Sequence, residues 1–121
     1  MIESLSIIYP VYNEEKRLKF IFSDIIKFNK KTDFIKKEYI FVDDGSNDNS
    51  KKIIEKFIKK NRTKKIIYKL KCEKINRGKG YALKIGTLSA TKNWMLTSDS
   101  DCSVSNLQLI EWLNNYYISQ K

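Results

Sequence analysis

Histidine is missing from this 121-residue sequence, and cysteine, proline and arginine are scarce. Without an imidazole, acid–base work falls to carboxylates or to substrate phosphate oxygens, and a common zinc ligand is lost. Cys72 and Cys102 are too few for a disulfide scaffold and lack the close spacing of a zinc site, which fits a reducing cytoplasm. One proline, Pro10, and four glycines leave no linker or low-complexity block, so residues 1–121 read as one domain. No apolar run approaches the ~20 residues that span a bilayer. Glu3 and Ser4 interrupt any signal-peptide pattern at the start. A hydrophobic share of 41% excludes a disordered tail.

Charge of one sign is abundant instead, with a net value of +10. Arginine accounts for three of the 24 basic residues (Arg17, Arg62 and Arg77), and lysine for the rest. Surfaces that read bases or clamp phosphates lean on the planar arginine fork. Pairs such as Lys51-Lys52 and Lys59-Lys60 fall on outer helix faces and read as solvated. No nucleic-acid partner is expected, while peripheral contact with an anionic membrane surface stays open.

Apolar periodicity gives the order β-α-β-α-β-α-β-α. Leu5 to Tyr9, Tyr39 to Val42, Ile66 to Leu70 and Trp94 to Thr97 are short, buried strands, the first ended by Pro10. Leu18, Ile21, Phe22, Ile25 and Ile26 repeat as the stripe of an amphipathic helix. Ile53, Ile54, Phe57 and Ile58 mark a second helix, with Ser46, Asn47 and Ser50 as N-cap candidates. A third helix runs from Gly78 to about Thr91, and Leu107, Ile110, Leu113 and Tyr117 mark a fourth. This alternation implies a mostly parallel α/β sheet of about four strands with helices on both faces. Such sheets bind ligands beyond the carboxyl ends of their strands.

Those ends carry Pro10-Val11-Tyr12-Asn13-Glu14-Glu15, then Asp43-Asp44 with Asp48, then Asn76-Arg77-Gly78-Lys79-Gly80, and finally Asp99-Ser100-Asp101. Acids converging on one rim repel unless a cation binds, and an oxygen-only donor set suits Mg²⁺ or Mn²⁺. Asp99 and Asp101 fall on one side of an extended chain, within reach of one ion. Asp43-Asp44-Gly45-Ser46 also fits a plain capped turn. The Asn76–Gly80 stretch fits a loop where helix and sheet pack closely, with Ala82, Gly86, Ser89 and Ala90 as a small-residue stripe.

Together, in this order over residues 6–101, these stretches resemble the amino-terminal half of a family 2 glycosyltransferase with the Rossmann-like GT-A fold. Asn-Arg-Gly-Lys-Gly is similar to the branch that transfers glucose or a related sugar to dolichyl or another polyprenyl phosphate. The resemblance implies a nucleotide-sugar donor of the UDP-glucose or GDP-mannose type, with a polyprenyl phosphate or glycan as acceptor. It implies that Pro10, Tyr12 and Glu14, with Asn13 between them, line the base and ribose end. Asp44, with Asp43 beside it, would bond the base or ribose, and Asn76, Gly78 and Lys79 would wall the nucleotide. Asp99 would touch the ribose or the metal, and Asp101 would ligate the Mg²⁺ or Mn²⁺ that bridges the diphosphate. Transfer would invert the sugar carbon, at the cytoplasmic face of a membrane or in the cytoplasm. Relatives of this kind continue into an acceptor-binding part, so residues 1–121 are expected to bind the donor without completing the reaction. Ser100 and Cys102 depart from the branch's usual Ala and Leu. The alternatives are a phosphatase-like Asp-x-Asp hydrolase and a non-catalytic nucleotide-binding module.

Overall fold

Leu5, Ile7, Tyr9 and Val11 alternate with Ser6, Ile8 and Pro10 along β1 (Ser4–Val11), and both sets are almost wholly buried. A strand apolar on both faces belongs in the middle of a covered parallel sheet, and β1 lies there. The computed structural model describes residues 2–98 and 105–120. In it β1 pairs in parallel with β2 (Lys36–Asp44) and with β4 (Trp94–Thr97). Strand β3 (Ile66–Glu73) lies outside β2, giving the order β3-β2-β1-β4.

Helices cover both faces. Helix α1 (Leu18–Lys31) packs Leu18, Ile21, Ile25 and Phe28 against the side bearing Leu5, Ile7, Tyr39 and Phe41. Helix α2 (Ser50–Asn61) adds Ile54, Phe57 and Ile58 on that side, and α4 (Asn106–Gln120) adds Ile110. Helix α3 (Lys79–Ser89) covers the opposite side, where Ala82 meets Ile8, Ile40 and Val42. The small stripe brings α3 close, since a Cβ on Gly86 would overlap the Ile8 Cγ2 methyl.

Two boundaries differ from the sequence expectation. Strand β1 continues through Pro10 to Val11, opposite Val42 and Asp43 of β2. The Ile8 carbonyl accepts the Ser98 N–H at 2.9 Å, so Ile8 faces β4. Residues two apart in a strand face the same way, which turns the imide nitrogen of Pro10 toward an edge where no described strand pairs. Helix α2 starts at Ser50 with Asn49 as its cap residue, and Ser46 and Ser50 turn their hydroxyls to the β1–α1 loop instead.

At the amino ends of the strands a buried carboxylate ties α3 and β4 to the sheet. Glu38 is fully buried and accepts from the Ser6 hydroxyl at 2.8 Å, the Thr91 N–H at 2.9 Å and the Thr91 hydroxyl at 3.0 Å. Lys69 pairs with it at 2.8 Å and also donates to the Ser89 carbonyl. Burial pushes this carboxyl upward, but Lys69, Thr91 and Ser6 together outweigh it and hold it below the usual glutamate range. A carboxyl lowered in the folded state stabilises above its unfolded value and loses that contribution as pH falls through its folded value. Glu38→Gln is therefore expected to be clearly less stable than the parent near neutral pH, the gap in urea midpoint closing as pH falls below the ordinary glutamate range. A gap constant from pH 7 to pH 3 would contradict this assignment.

Candidate functional site

All four strands point their carboxyl ends to one rim, and the connection after β2 organises it. Asp44 ends β2 on the face that carries Ile40 and Val42, toward α3. Its Oδ1 accepts the Arg77 N–H at 2.9 Å. Its Oδ2 accepts the Gly78 N–H at 2.9 Å and the Asn76 Nδ2 at 3.1 Å. Asn76 Nδ2 also donates to the Asp44 carbonyl. One carboxylate thus holds the loop before α3 against the end of β2. Two glycines make this possible. Gly45 (φ 75°) lies under the loop, where a Cβ would stand 2.6 Å from the Asn76 nitrogen. Gly78 (φ 99°, ψ 162°) caps α3 in a conformation that only glycine adopts at ease.

A second set of bonds locks the β1–α1 loop to the β2–α2 loop. Asn13 (φ 50°) donates its N–H to the Ser46 hydroxyl oxygen at 2.9 Å and accepts the Asn47 N–H on its Oδ1 at 2.8 Å. Glu14 N–H bonds the Ser50 hydroxyl, Glu15 N–H bonds Asp48, and Asn49 N–H bonds Glu15. Burial pushes the Asp48 carboxyl upward, but the hydroxyl and N–H of Ser50 and the Glu15 N–H together outweigh it and hold it below its ordinary range.

Between these two loops opens a cleft of about 260 Å³, at the carboxyl ends of β1 and β2. Pro10, Tyr12 and Glu14 form one wall, and Asp44, Asn76, Gly78 and Lys79 the other. Tyr12 keeps 42% of its surface exposed, so its ring is available to a flat ligand. Lys79 opens α3, whose positive dipole end therefore faces the cleft. Val11 and Ala82 also line it; the sequence put them in the stretch after β1 and in the small-residue stripe, but not among the site residues. A larger hollow of about 590 Å³ between α2 and β3 includes Tyr68 and Cys72, but it lies on the edge strand, away from this rim.

Two of the expected residues do not line this cleft. Asp43 neighbours Asp44 in sequence, yet strand alternation turns it to the other face, where it is buried and outside the cleft. Asn13 serves the lock between loops and does not line the cleft.

A sequence model of glycosyl transferase family 2 matches residues 6–116. The chain belongs to that family. It is 40% identical over 102 residues to dolichyl-phosphate β-glucosyltransferase of Dictyostelium discoideum, covering 80% of this chain and 30% of that one. The human enzyme of the same name is 34% identical over 105 residues, covering 82% and 31%. The chain thus spans about a third of the length of these relatives and stands close to their branch of the family. Among solved structures, S. aureus TarS 1–349 in complex with UDP-GlcNAc shares 30% identity at a TM-score of 0.67, over 81% of this chain and 26% of that one. The mannosyltransferase PcManGT of Pyrobaculum calidifontis, with GDP-Man and Mn²⁺, superposes at a TM-score of 0.71 with 22% identity, over 84% and 28%. That likeness supports the GT-A fold.

The partners of the rim acids also revise the case for a cation. The surplus of rim acids pointed to one, but three of them already have protein partners. Asp44 has the loop donors, Asp48 has Ser50 and Glu15, and Glu14 pairs with Arg17 at 2.7 Å. Among the described residues no group of three or more His, Cys, Asp or Glu could hold a metal ion. Asp99 and Asp101 lie outside the described residues. Their oxygen-only chemistry suits Mg²⁺ or Mn²⁺.

Because both Asp44 oxygens accept, an amide cannot replace the carboxylate: its NH₂ would face a donor. Asp44→Asn is expected to lose about as much stability as Asp44→Ala, on the order of 1–2 kcal/mol by urea denaturation. Recovery of most of that loss in Asp44→Asn would show that the loop depends on one oxygen.

Proposed function

We propose that this chain is the donor-binding part of an inverting glycosyltransferase that moves a hexose from a nucleoside diphosphate sugar to a polyprenyl phosphate. The observation that carries the reading is the cleft in which Pro10 and Tyr12 face the loop held by Asp44. The names of the relatives support the lipid phosphate acceptor, and the TarS complex supports a nucleotide-sugar donor.

Each residue then has a task that its surroundings suit. The Tyr12 ring and Pro10 flank the planar base. Asp44 already accepts three hydrogen bonds, so a carboxylate with about four acceptor sites keeps one for an N–H or O–H of the nucleoside. Glu14, Asn76 and Gly78 wall the ribose. Lys79 and the α3 N-terminus meet the negative charge of the diphosphate. Asp99 and Asp101 would hold Mg²⁺ or Mn²⁺, which when bound supplies Lewis-acid stabilisation of the departing diphosphate. The acceptor phosphate oxygen is anionic near neutral pH and needs no strong general base, so positioning in line with the leaving group suffices for inversion. A lipid-linked acceptor brings the protein to the cytoplasmic face of a membrane, where its lysine excess meets anionic headgroups. Among the described residues no helix is long and apolar enough to cross a membrane.

Calorimetry with UDP-glucose and GDP-mannose, each with and without Mn²⁺, tests this reading. One donor is expected to bind in a Mn²⁺-dependent manner, with the dependence lost in Asp101→Ala. Binding indifferent to both the ion and the substitution would overturn it.

A further inference from the structure

The amino ends of the strands form the pole opposite the cleft, and lysines gather there. Helices α1 and α2 end at this pole, and Lys30, Lys31, Lys59 and Lys60 in their last turns complement the negative dipole ends. Four further lysines lie beyond those turns, so the dipoles do not account for them. Lys36 opens β2, Lys64 and Lys65 precede β3, and Lys92 precedes β4. With Phe34 and Ile67 they line a hollow of about 350 Å³. Strand β2 has nine residues, which puts this hollow about 25 Å from Asp44 at its other end.

Sheet alternation places these groups together. Ile40 lies on the α3 side, so Glu38 and Lys36 lie there too, and Ile67 stands opposite Glu38 on β3. Glu38 cannot offset the lysines, because Lys69, Ser6 and Thr91 already occupy it. Asp33 is the one acid in the lining. Among the described residues none of the four ammonium groups has an ion-pair partner. Like charges gathered in this way repel one another, and a bound anion removes that repulsion. Phe34 keeps 66% of its surface exposed and Ile67 40%, so the border of the hollow is apolar.

We infer that this hollow is a binding site for a compact, multiply charged phosphate group, separate from the nucleotide cleft. Four ammonium groups around so small a volume match an anion that concentrates its charge on neighbouring oxygens. An extended acidic segment spreads its carboxylates instead, since side chains on one face of a strand recur roughly every 7 Å. Lysine meets phosphate as a point charge, so these four supply by number what arginine supplies by its planar fork. The apolar border suits a phosphate carried on an organic group. A phosphorylated lipid headgroup and a soluble polyphosphate share this chemistry.

The test uses the whole 121-residue protein, with inorganic tripolyphosphate as the soluble probe. Binding is measured by calorimetry at about 0.15 M salt without divalent ions. Lys36→Gln, Lys64→Gln, Lys65→Gln and Lys92→Gln combined are expected to weaken it by roughly tenfold or more. Lys27→Gln, Lys52→Gln, Lys56→Gln and Lys84→Gln combined remove the same charge from outer helix faces and are expected to change it less than about twofold. All eight side chains lie outside the buried core, so both variants are expected to keep the thermal midpoint of the parent. No tripolyphosphate binding by the parent, or equal losses in the two variants, would overturn the inference. Vesicles of phosphatidylcholine with phosphatidic acid separate the two sources. Cosedimentation that is lost in the hollow variant and weakened by Phe34→Ser assigns a lipid headgroup. Tripolyphosphate binding without cosedimentation assigns a soluble polyphosphate.

Discussion

The Asp44 carboxylate is the group on which the rim of this domain depends. It bridges the end of β2 and the start of α3, accepting from Asn76, Arg77 and Gly78 at 2.9–3.1 Å. The lining of the cleft follows from that bridge, because Gly45 must pass beneath the loop and Gly78 must take a left-handed backbone to begin the helix. A charged acceptor suits the task better than an amide, since every partner is a donor. The donors that a glycine-rich loop before a helix would offer to an outside anion are thus partly taken by the protein's own carboxylate. What remains for a ligand is one acceptor site on Asp44 and the first turn of α3.

The sheet makes this arrangement precise. Strand β1 is paired with β2 along its whole length, and Asp44 follows the last pair, so Pro10 and Asp44 are held on neighbouring strands. The two loops that follow them are joined by bonds through Asn13, Ser46, Asp48 and Ser50. At the opposite pole the Glu38 cluster fastens the connection between α3 and β4 to the sheet. Helix α3 is therefore flanked at both ends by loops tied to buried carboxylates, and packs between them by its close approach to Ile8. The site belongs to this tied frame, with exposed residues such as Tyr12 at its edge.

Much of this was legible in the sequence. Alternating apolar runs identified the four strands and four helices of the described residues, and the motif order located the rim and the family. Pro10, Tyr12, Glu14, Asp44, Asn76, Gly78 and Lys79 come together as that order implies. What escaped was local geometry. Adjacent acids look equivalent in sequence, but the strand runs through Asp44 and sends Asp43 to the other face. Ser46 and Ser50 have the chemistry of N-caps, yet the neighbouring loop claims their hydroxyls. Pro10 ends strands by its chemistry, but here it faces an edge with no described pairing partner. Residue type cannot reveal these choices, because each depends on which segment of the folded chain lies opposite. The same holds for Lys36, Lys64 and Lys92, three residues far apart in sequence that meet at one hollow with no motif to mark them.

The central claim is that the cleft between the β1–α1 loop and the Asp44-held loop receives the nucleotide. Backbone amide shifts of the ¹⁵N-labelled chain, titrated with UDP, test it most directly. Changes concentrated at Tyr12, Asn76, Gly78 and Lys79, with Tyr68 and Cys72 of the edge strand unmoved, are the predicted result. Changes centred on Tyr68 and Cys72, or none at the Asn76–Lys79 amides at saturating UDP, would contradict it.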